Sequence, residues 1–162
     1  MLDNKAAMKE DAQRLAAILR RQKKVRVVTH IDADGICAGA IASLSLDRAG
    51  IPNDVEFVKQ LDPDSVARVQ DIGSLLWFTD LGSGSLDMLR GIDCVITDHH
   101  TPNGSVSVPT VNPHLHGLSG ALELSGAGAA YLVARELDAA NADLAALAII
   151  GAFAVAGGPA FA

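Results

Sequence analysis

Three short apolar runs limit what this chain can fold into. Residues 25–29, 75–79 and 93–97 are rich in β-branched, aromatic and Leu side chains and too short for buried helices, so they read as strands. Segments of helical spacing lie between them, and strands alternating with helices make a mainly parallel sheet with right-handed crossovers. The first run leads into His30, Asp32 and Asp34, the second into Asp80, and the third into Asp98, His99 and His100. In a parallel sheet these ends share one edge, where α/β proteins bind ligands.

The remaining elements complete an α/β domain with a five-stranded sheet flanked by helices. Ala7, Met8, Leu15, Ile18 and Leu19 give a helix over residues 3–22. Its end carries the cluster Arg20, Arg21, Lys23, Lys24 and Arg26, either a solvated helix end that complements the macrodipole or a phosphate-contacting patch. Residues 30–35 read as a polar turn before a small-residue helix over 36–48. Residues 55–59 are the second strand, and Asp62-Pro63 caps a helix reaching Val69. A short helix is expected over 85–90 and a fifth, more exposed strand over 106–111. Residues 112–125 form a loop long enough to suspect function, and helices are expected over 126–137 and 143–151.

Only 4% of the 162 residues are aromatic while 49% are hydrophobic, with Ala and Gly used heavily. That favours close-packed helices on a sheet over an aromatic-rich barrel. A formal charge of −6 argues against a globally basic nucleic-acid binder, although bound cations can supply positive charge locally. Cys37 and Cys94 lack a CxxC partner and sit in apolar segments, as buried free thiols in a reducing cytoplasm do. The N-terminus has no apolar signal core. Residues 144–162 carry no charge, yet their Ala and Gly content and the Gly157-Gly158-Pro159 interruption read as a buried helix with an irregular tail rather than a membrane span.

The strand ends hold the chemistry. His30, Asp32 and Asp34 place three candidate ligands in five residues, with Gly35 leaving room for a tight turn. Carboxylates suit Mg²⁺ and Mn²⁺, and an added imidazole shifts preference towards Mn²⁺. An Asx turn capping the next helix would use Asp32 or Asp34 alone and leaves the other acids unexplained. Asp80 is a candidate bridge between two ions, or an N-cap. Asp98 can hold an imidazole tautomer of the adjacent His pair.

Taken in order, His30-Ile31-Asp32-Ala33-Asp34-Gly35, Thr79-Asp80, Asp98-His99-His100 and Ser125-Gly126-Ala127-Gly128 resemble the successive motifs of the DHH phosphoesterase family, nearest to its archaeal RecJ-like members. The resemblance covers residues 25–151. It implies a two-metal phosphodiesterase, usually Mn²⁺-dependent with Mg²⁺ as the alternative ion, in which an activated water attacks phosphorus. Carried over, His30 and Asp32 hold one metal, Asp34 and His99 the other, and Asp80 bridges them. Asp98 and His100 support ligands or contact the scissile phosphate. His114, in an Asn112-Pro113-His114 loop like the family's, contacts phosphate or metal-bound water, whereas His116 is a plain loop residue. Ser125 and Gly126 open a helix whose N–H groups can receive a phosphate oxygen, although Ser125 reads equally well as an ordinary N-cap.

The resemblance also marks two departures. The family has an acid after the segment matching Ile149-Ile150-Gly151, where this chain reads Ala152-Phe153-Ala154-Val155-Ala156. Its nucleases continue into a second, substrate-gripping domain. The expected organisation is therefore a catalytic domain over 1–151, incomplete at its end, an apolar tail over 152–162, no second domain, and a weakened second metal site. The leading expectation is a cytoplasmic hydrolase of single-stranded DNA or RNA ends, with no membrane association. A hydrolase of cyclic dinucleotides or short oligonucleotides is the first alternative, and a non-catalytic adaptor binding replication-complex proteins the second. A nucleotide-binding module without metal would need a glycine-rich first turn, and residues 30–35 are acidic instead.

Overall fold

The computed structural model describes residues 2–70 and 73–156. Five strands, β1 (Val25–His30), β2 (Asn53–Val58), β3 (Leu75–Thr79), β4 (Cys94–Thr97) and β5 (Thr110–Val111), form one sheet in the order β2-β1-β3-β4-β5, with every neighbouring pair parallel. The α-helices among the described residues are α1 (Leu2–Leu19), α2 (Ala33–Arg48), α3 (Pro63–Val69), α4 (Gly126–Leu137) and α5 (Ala145–Ala156). The chain leaves β1 to one side of the sheet for β2 and returns to the other side for β3. That reversal opens a crevice at the carboxyl ends of β1 and β3.

Alternating side chains divide the core. Val25, Val27, Trp77, Val95 and Val111 face α1, α2 and α4, while Val28, Leu76, Phe78 and Ile96 face α3 and the 3-10 turn Ser83–Leu89. Thr29, Thr79 and Thr97 pair across the three central strands in register, all fully buried, one residue before or at the strand ends. Thr29 Oγ1 donates to the Gly35 carbonyl and Trp77 Nε1 donates to Thr97 Oγ1 at 3.0 Å, so this row fastens β1 to the first turn of α2 and β3 to β4.

Several boundaries differ from expectation for identifiable reasons. Helix α2 begins at Ala33 rather than residue 36, because the Asp32 carboxylate accepts the Gly35 N–H and caps it there. Asp34 and Gly35 thus lie in a helical turn, not a polar loop. The fifth strand is only Thr110–Val111; Pro109 has no N–H for a ladder, although Val106 and Val108 still pack against the core. The 112–125 loop contains a 3-10 turn over Pro113–His116, capped by Asn112, and His116 Nε2 meets Asp11 Oδ2 at 2.7 Å to fasten it to α1.

Helix α5 runs five residues past Gly151 before the chain reaches its Gly-Gly-Pro breaker, so 152–156 is not irregular; residues 157–162 lie outside the described residues. Nor is α5 simply buried. Ala148 and Gly151 pack on α2 and α4, whereas Ile149, Ile150 and Phe153 are exposed. A 3-10 turn over Ala139–Leu144 leads directly into α5, and the continuous helical stretch Ala139–Ala156, 18 residues, is long and apolar enough by length and composition to cross a membrane. The basic cluster after α1 is largely engaged within the fold. Arg20 donates to the Glu136 and Leu137 carbonyls at the end of α4, and Lys24 and Arg26 pair with Asp54. Cys37 and Cys94 are buried free thiols, as expected.

Leu46 is fully buried between α2 and the sheet. Leu46→Ala is expected to lower unfolding free energy by about 2–5 kcal/mol, seen as a lower urea midpoint at unchanged slope. Asp62→Ala, which removes a complete capping box at α3, should cost about 1 kcal/mol.

Candidate metal centre

The crevice between β1 and β3 is where the acids gather. Asp80, directly after β3, is the only non-glycine residue with positive φ among the described residues, at 59°. A side chain held in this region costs about 1–3 kcal/mol, which Asp tolerates better than most. Its carboxylate is 1% exposed, and neither oxygen has a hydrogen-bond donor. On one side His30 Nδ1 lies 3.9 Å from Asp80 Oδ2 and 2.9 Å from Asp32 Oδ2. On the other, His99 Nε2 lies 3.3 Å from Asp80 Oδ1 and 3.7 Å from Asp34 Oδ2. His30, Asp32 and Asp80 bring ligand atoms within 4.8 Å of one another, as do Asp80, His99 and His100.

Each imidazole is held by its other nitrogen. His30 Nε2 meets the Lys59 carbonyl at 3.0 Å and His99 Nδ1 the Gly120 carbonyl at 2.7 Å. A carbonyl accepts only from N–H, so His99 Nδ1 carries the proton and Nε2 is left for Asp80 or a metal. His100 Nδ1 bonds Asp98 Oδ1 at 2.8 Å, leaving Nε2 of a half-exposed ring free. Asp98 itself is fully buried and accepts from the Ser83, His99 and His100 N–H groups as well. It holds the turn and His100, and has no oxygen left unbonded.

Asp34 has a second task. Its oxygens accept the Gly126 and Ala127 N–H groups at 2.8 and 3.0 Å, at the start of α4. Ser125 Oγ accepts the Gly128 N–H as an N-cap. The helix terminus expected to receive phosphate through Ser125 and Gly126 is thus taken up by protein groups. A Cβ at Gly126 would stand 2.2 Å from Asp80 Oδ1, and one at Gly151 2.4 Å from Asp34 Oδ1, so α4 and α5 reach the acids only through glycine. His114 is exposed on its 3-10 turn beside Gly120. Asn112, Ser83 and Gly120 were not among the expected site residues. The Asn-Pro step before His114 was the one local signal for Asn112.

The electrostatics reflect this crowding. Burial, reinforced by Asp34, Asp32 and Asp98, pushes Asp80 up to about 7, with His99 opposing. Burial disfavours charged His99, yet Asp80, the Gly120 carbonyl and Asp34 outweigh it and raise His99 to about 9. Burial likewise works against the Asp98 carboxylate, but His100 and the backbone N–H groups hold its pKa down. The donor set is oxygen and imidazole, and the unpartnered atoms include Asp80 Oδ1, Asp80 Oδ2 and His30 Nδ1. Such an arrangement fits a hard-to-borderline divalent cation such as Mn²⁺.

Both raised values act in one direction without metal. Asp80 costs increasing stability as pH rises through about 7, and His99 supplies stability below about 6.5 that is lost as pH rises through 9. The melting temperature in chelator should therefore fall from pH 6 to pH 9, and Asp80→Asn, which removes both the buried carboxyl and the main partner that raises His99, should flatten most of that slope. A level profile would contradict this assignment.

Comparison with known proteins agrees with this geometry. The model of the DHH family, N-terminal domain, matches residues 24–152. The chain is 32% identical over 145 residues to an uncharacterised protein of Methanocaldococcus jannaschii, covering 83% of this chain and 33% of that protein. It is 30% identical over 142 residues to the single-stranded-DNA-specific exonuclease RecJ of Thermus thermophilus, covering 78% of this chain and 21% of the exonuclease. A crystal structure of exonuclease RecJ bound to manganese superposes with a TM-score of 0.72 at 26% identity, over 89% of this chain and 42% of that one. This chain thus spans 33% or less of the length of these curated relatives. With the family model covering most of its length and the motif residues meeting at one sheet edge, the chain belongs to the DHH family, through that family's N-terminal domain.

Proposed function

We propose that the chain is a metal-dependent phosphodiester hydrolase acting on single-stranded nucleic-acid ends or short oligonucleotides. The observation that carries this reading is Asp80. A carboxylate so buried with both oxygens unpartnered, flanked by His30 and Asp32 on one side and His99 on the other, is a costly arrangement that two cations would relieve. His30 and Asp32 would hold one ion and Asp34 and His99 the other, with Asp80 within reach of both. Bound divalent cations supply the positive charge and Lewis acidity that in-line displacement at phosphorus requires.

The remaining residues bind and orient. Asp98, fully buried, raises the pKa of His100 by its hydrogen bond, so His100 can present a charged Nε2–H to a phosphate oxygen from the rim. His114 lies on the same side, across Gly120, as a second phosphate contact. The relative named for single-stranded DNA supports the substrate class, and the manganese-bound neighbour supports a divalent cation of the Mn²⁺ or Mg²⁺ kind. The described part of α5 after Gly151 carries no carboxylate, so the Asp34–His99 position is the weaker of the two. Partners in a replication complex belong to a second reading that this site, with its ligands retained, does not favour.

Manganese calorimetry on the full chain should show one tighter and one weaker site, both lost in Asp80→Asn. Two equally tight sites would remove the asymmetry, and no binding would remove the metal reading. Assayed with Mn²⁺, a dinucleotide and a labelled single strand should both be cleaved by the wild type and by neither Asp80→Ala nor chelated protein. The ratio of the two rates ranks the substrate classes.

A further inference from the structure

A closed circuit of hydrogen bonds lies beneath the rim of the site and joins His100 to two residues, Asn112 and Ser83, that neither hold metal nor touch phosphate. Asn112 is fully buried and Ser83 nearly so. Asn112 Nδ2 donates to Ser83 Oγ at 2.8 Å and to the His100 carbonyl at 2.9 Å. Ser83 N–H donates to Asp98 Oδ2 at 2.8 Å, and Asp98 Oδ1 takes His100 Nδ1. The circuit therefore runs Asn112, Ser83, Asp98, His100 and back to Asn112. A branch leaves it, because Asn112 Oδ1 accepts the His114 N–H at 2.9 Å. The amide orientation is unambiguous: the His114 N–H can only donate and the His100 carbonyl can only accept, so oxygen faces the first and nitrogen the second.

Three chain segments meet at this one amide: the turn after β3, the turn after β4, and the capped turn carrying His114. Each side-chain hydrogen of Asn112 is used, and a buried amide so satisfied has one low-energy placement. The side chain of Asn112 bonds Ser83, His100 and His114, and none of these is among the metal-holding His30, Asp32, Asp34, Asp80 and His99. We infer that Asn112, with Ser83, is a positioning pair that sets the spacing of His100 and His114 and so determines how tightly the site grips a phosphate, separately from how it holds metal. The inference rests on the proposed reading of His100 and His114 as phosphate contacts.

The test uses the full chain loaded with Mn²⁺ and thymidine 5′-monophosphate as probe. Asn112→Ala leaves Ser83 Oγ, the His100 carbonyl and the His114 N–H without their partner, and Ser83→Ala removes one acceptor while keeping the backbone bond to Asp98. By calorimetry, Asn112→Ala should weaken nucleotide affinity by about tenfold or more, with manganese affinity within about twofold of wild type. Ser83→Ala should shift the same way by less. In turnover, the loss should fall on KM more than on kcat. If Asn112→Ala does not fold, Ser83→Ala carries the same comparison. Wild-type nucleotide affinity in the variants that fold, or a parallel loss of manganese, overturns the inference. A wild-type protein that binds manganese but no nucleotide overturns the phosphate reading beneath it, which is a separate result.

Discussion

One carboxylate joins the first strand–helix unit of this chain to its last helices. Asp34 sits in the first turn of α2 and accepts two N–H groups from the start of α4, 92 and 93 positions further along the chain. The first N–H groups of a helix lack intrahelical partners and carry its positive end, so a buried anion there is stabilised by hydrogen bonds and dipole together. Gly151 lies against the same carboxylate, which brings α5 into the joint. The cluster of Cys37, Ala38, Ile41, Ala127, Ala130 and Ala148 is the apolar packing around this polar centre. Small side chains predominate because three helices must approach closely enough for one Asp to reach them.

The other acids of the crevice divide the remaining work. Asp32 caps α2, Asp98 accepts four hydrogen bonds at the turn after β4, and Asp80 accepts none. Four carboxylates at one sheet edge would repel one another if all were left bare. Three are stabilised by donors placed by the fold, and the excess is concentrated on the fourth. The site is therefore a graded arrangement in which the residue with fewest protein partners is also the one in a strained backbone conformation.

Much of this was legible in the sequence. The three central strands were marked by β-branched and aromatic runs, and the helix over 126–137 by its Ser cap and small residues, because these signals are local. The acids and His99 were legible as a group because parallel strands must bring their carboxyl ends together. What was not legible depended on distant partners. That Asp34 would take up the Gly126 and Ala127 N–H groups at the start of α4 is a contact across the whole domain. That Asn112 would bridge three turns is equally non-local. The fifth strand was overestimated because hydrophobic alternation survives at residues 106–108 where Pro109 prevents pairing.

The left-handed, unpartnered placement of Asp80 bears on how long the folded chain survives. A domain of this kind is stable by roughly 5–15 kcal/mol, and a strained residue whose buried carboxylate accepts no hydrogen bond subtracts from that. Any cation bound through Asp80 in the folded state alone returns stability in proportion to the logarithm of its concentration over its Kd. The unfolded fraction then rises when such cations are scarce, and with it exposure to proteolysis. Through one residue, the supply of metal would govern the abundance of the protein as well as its chemistry.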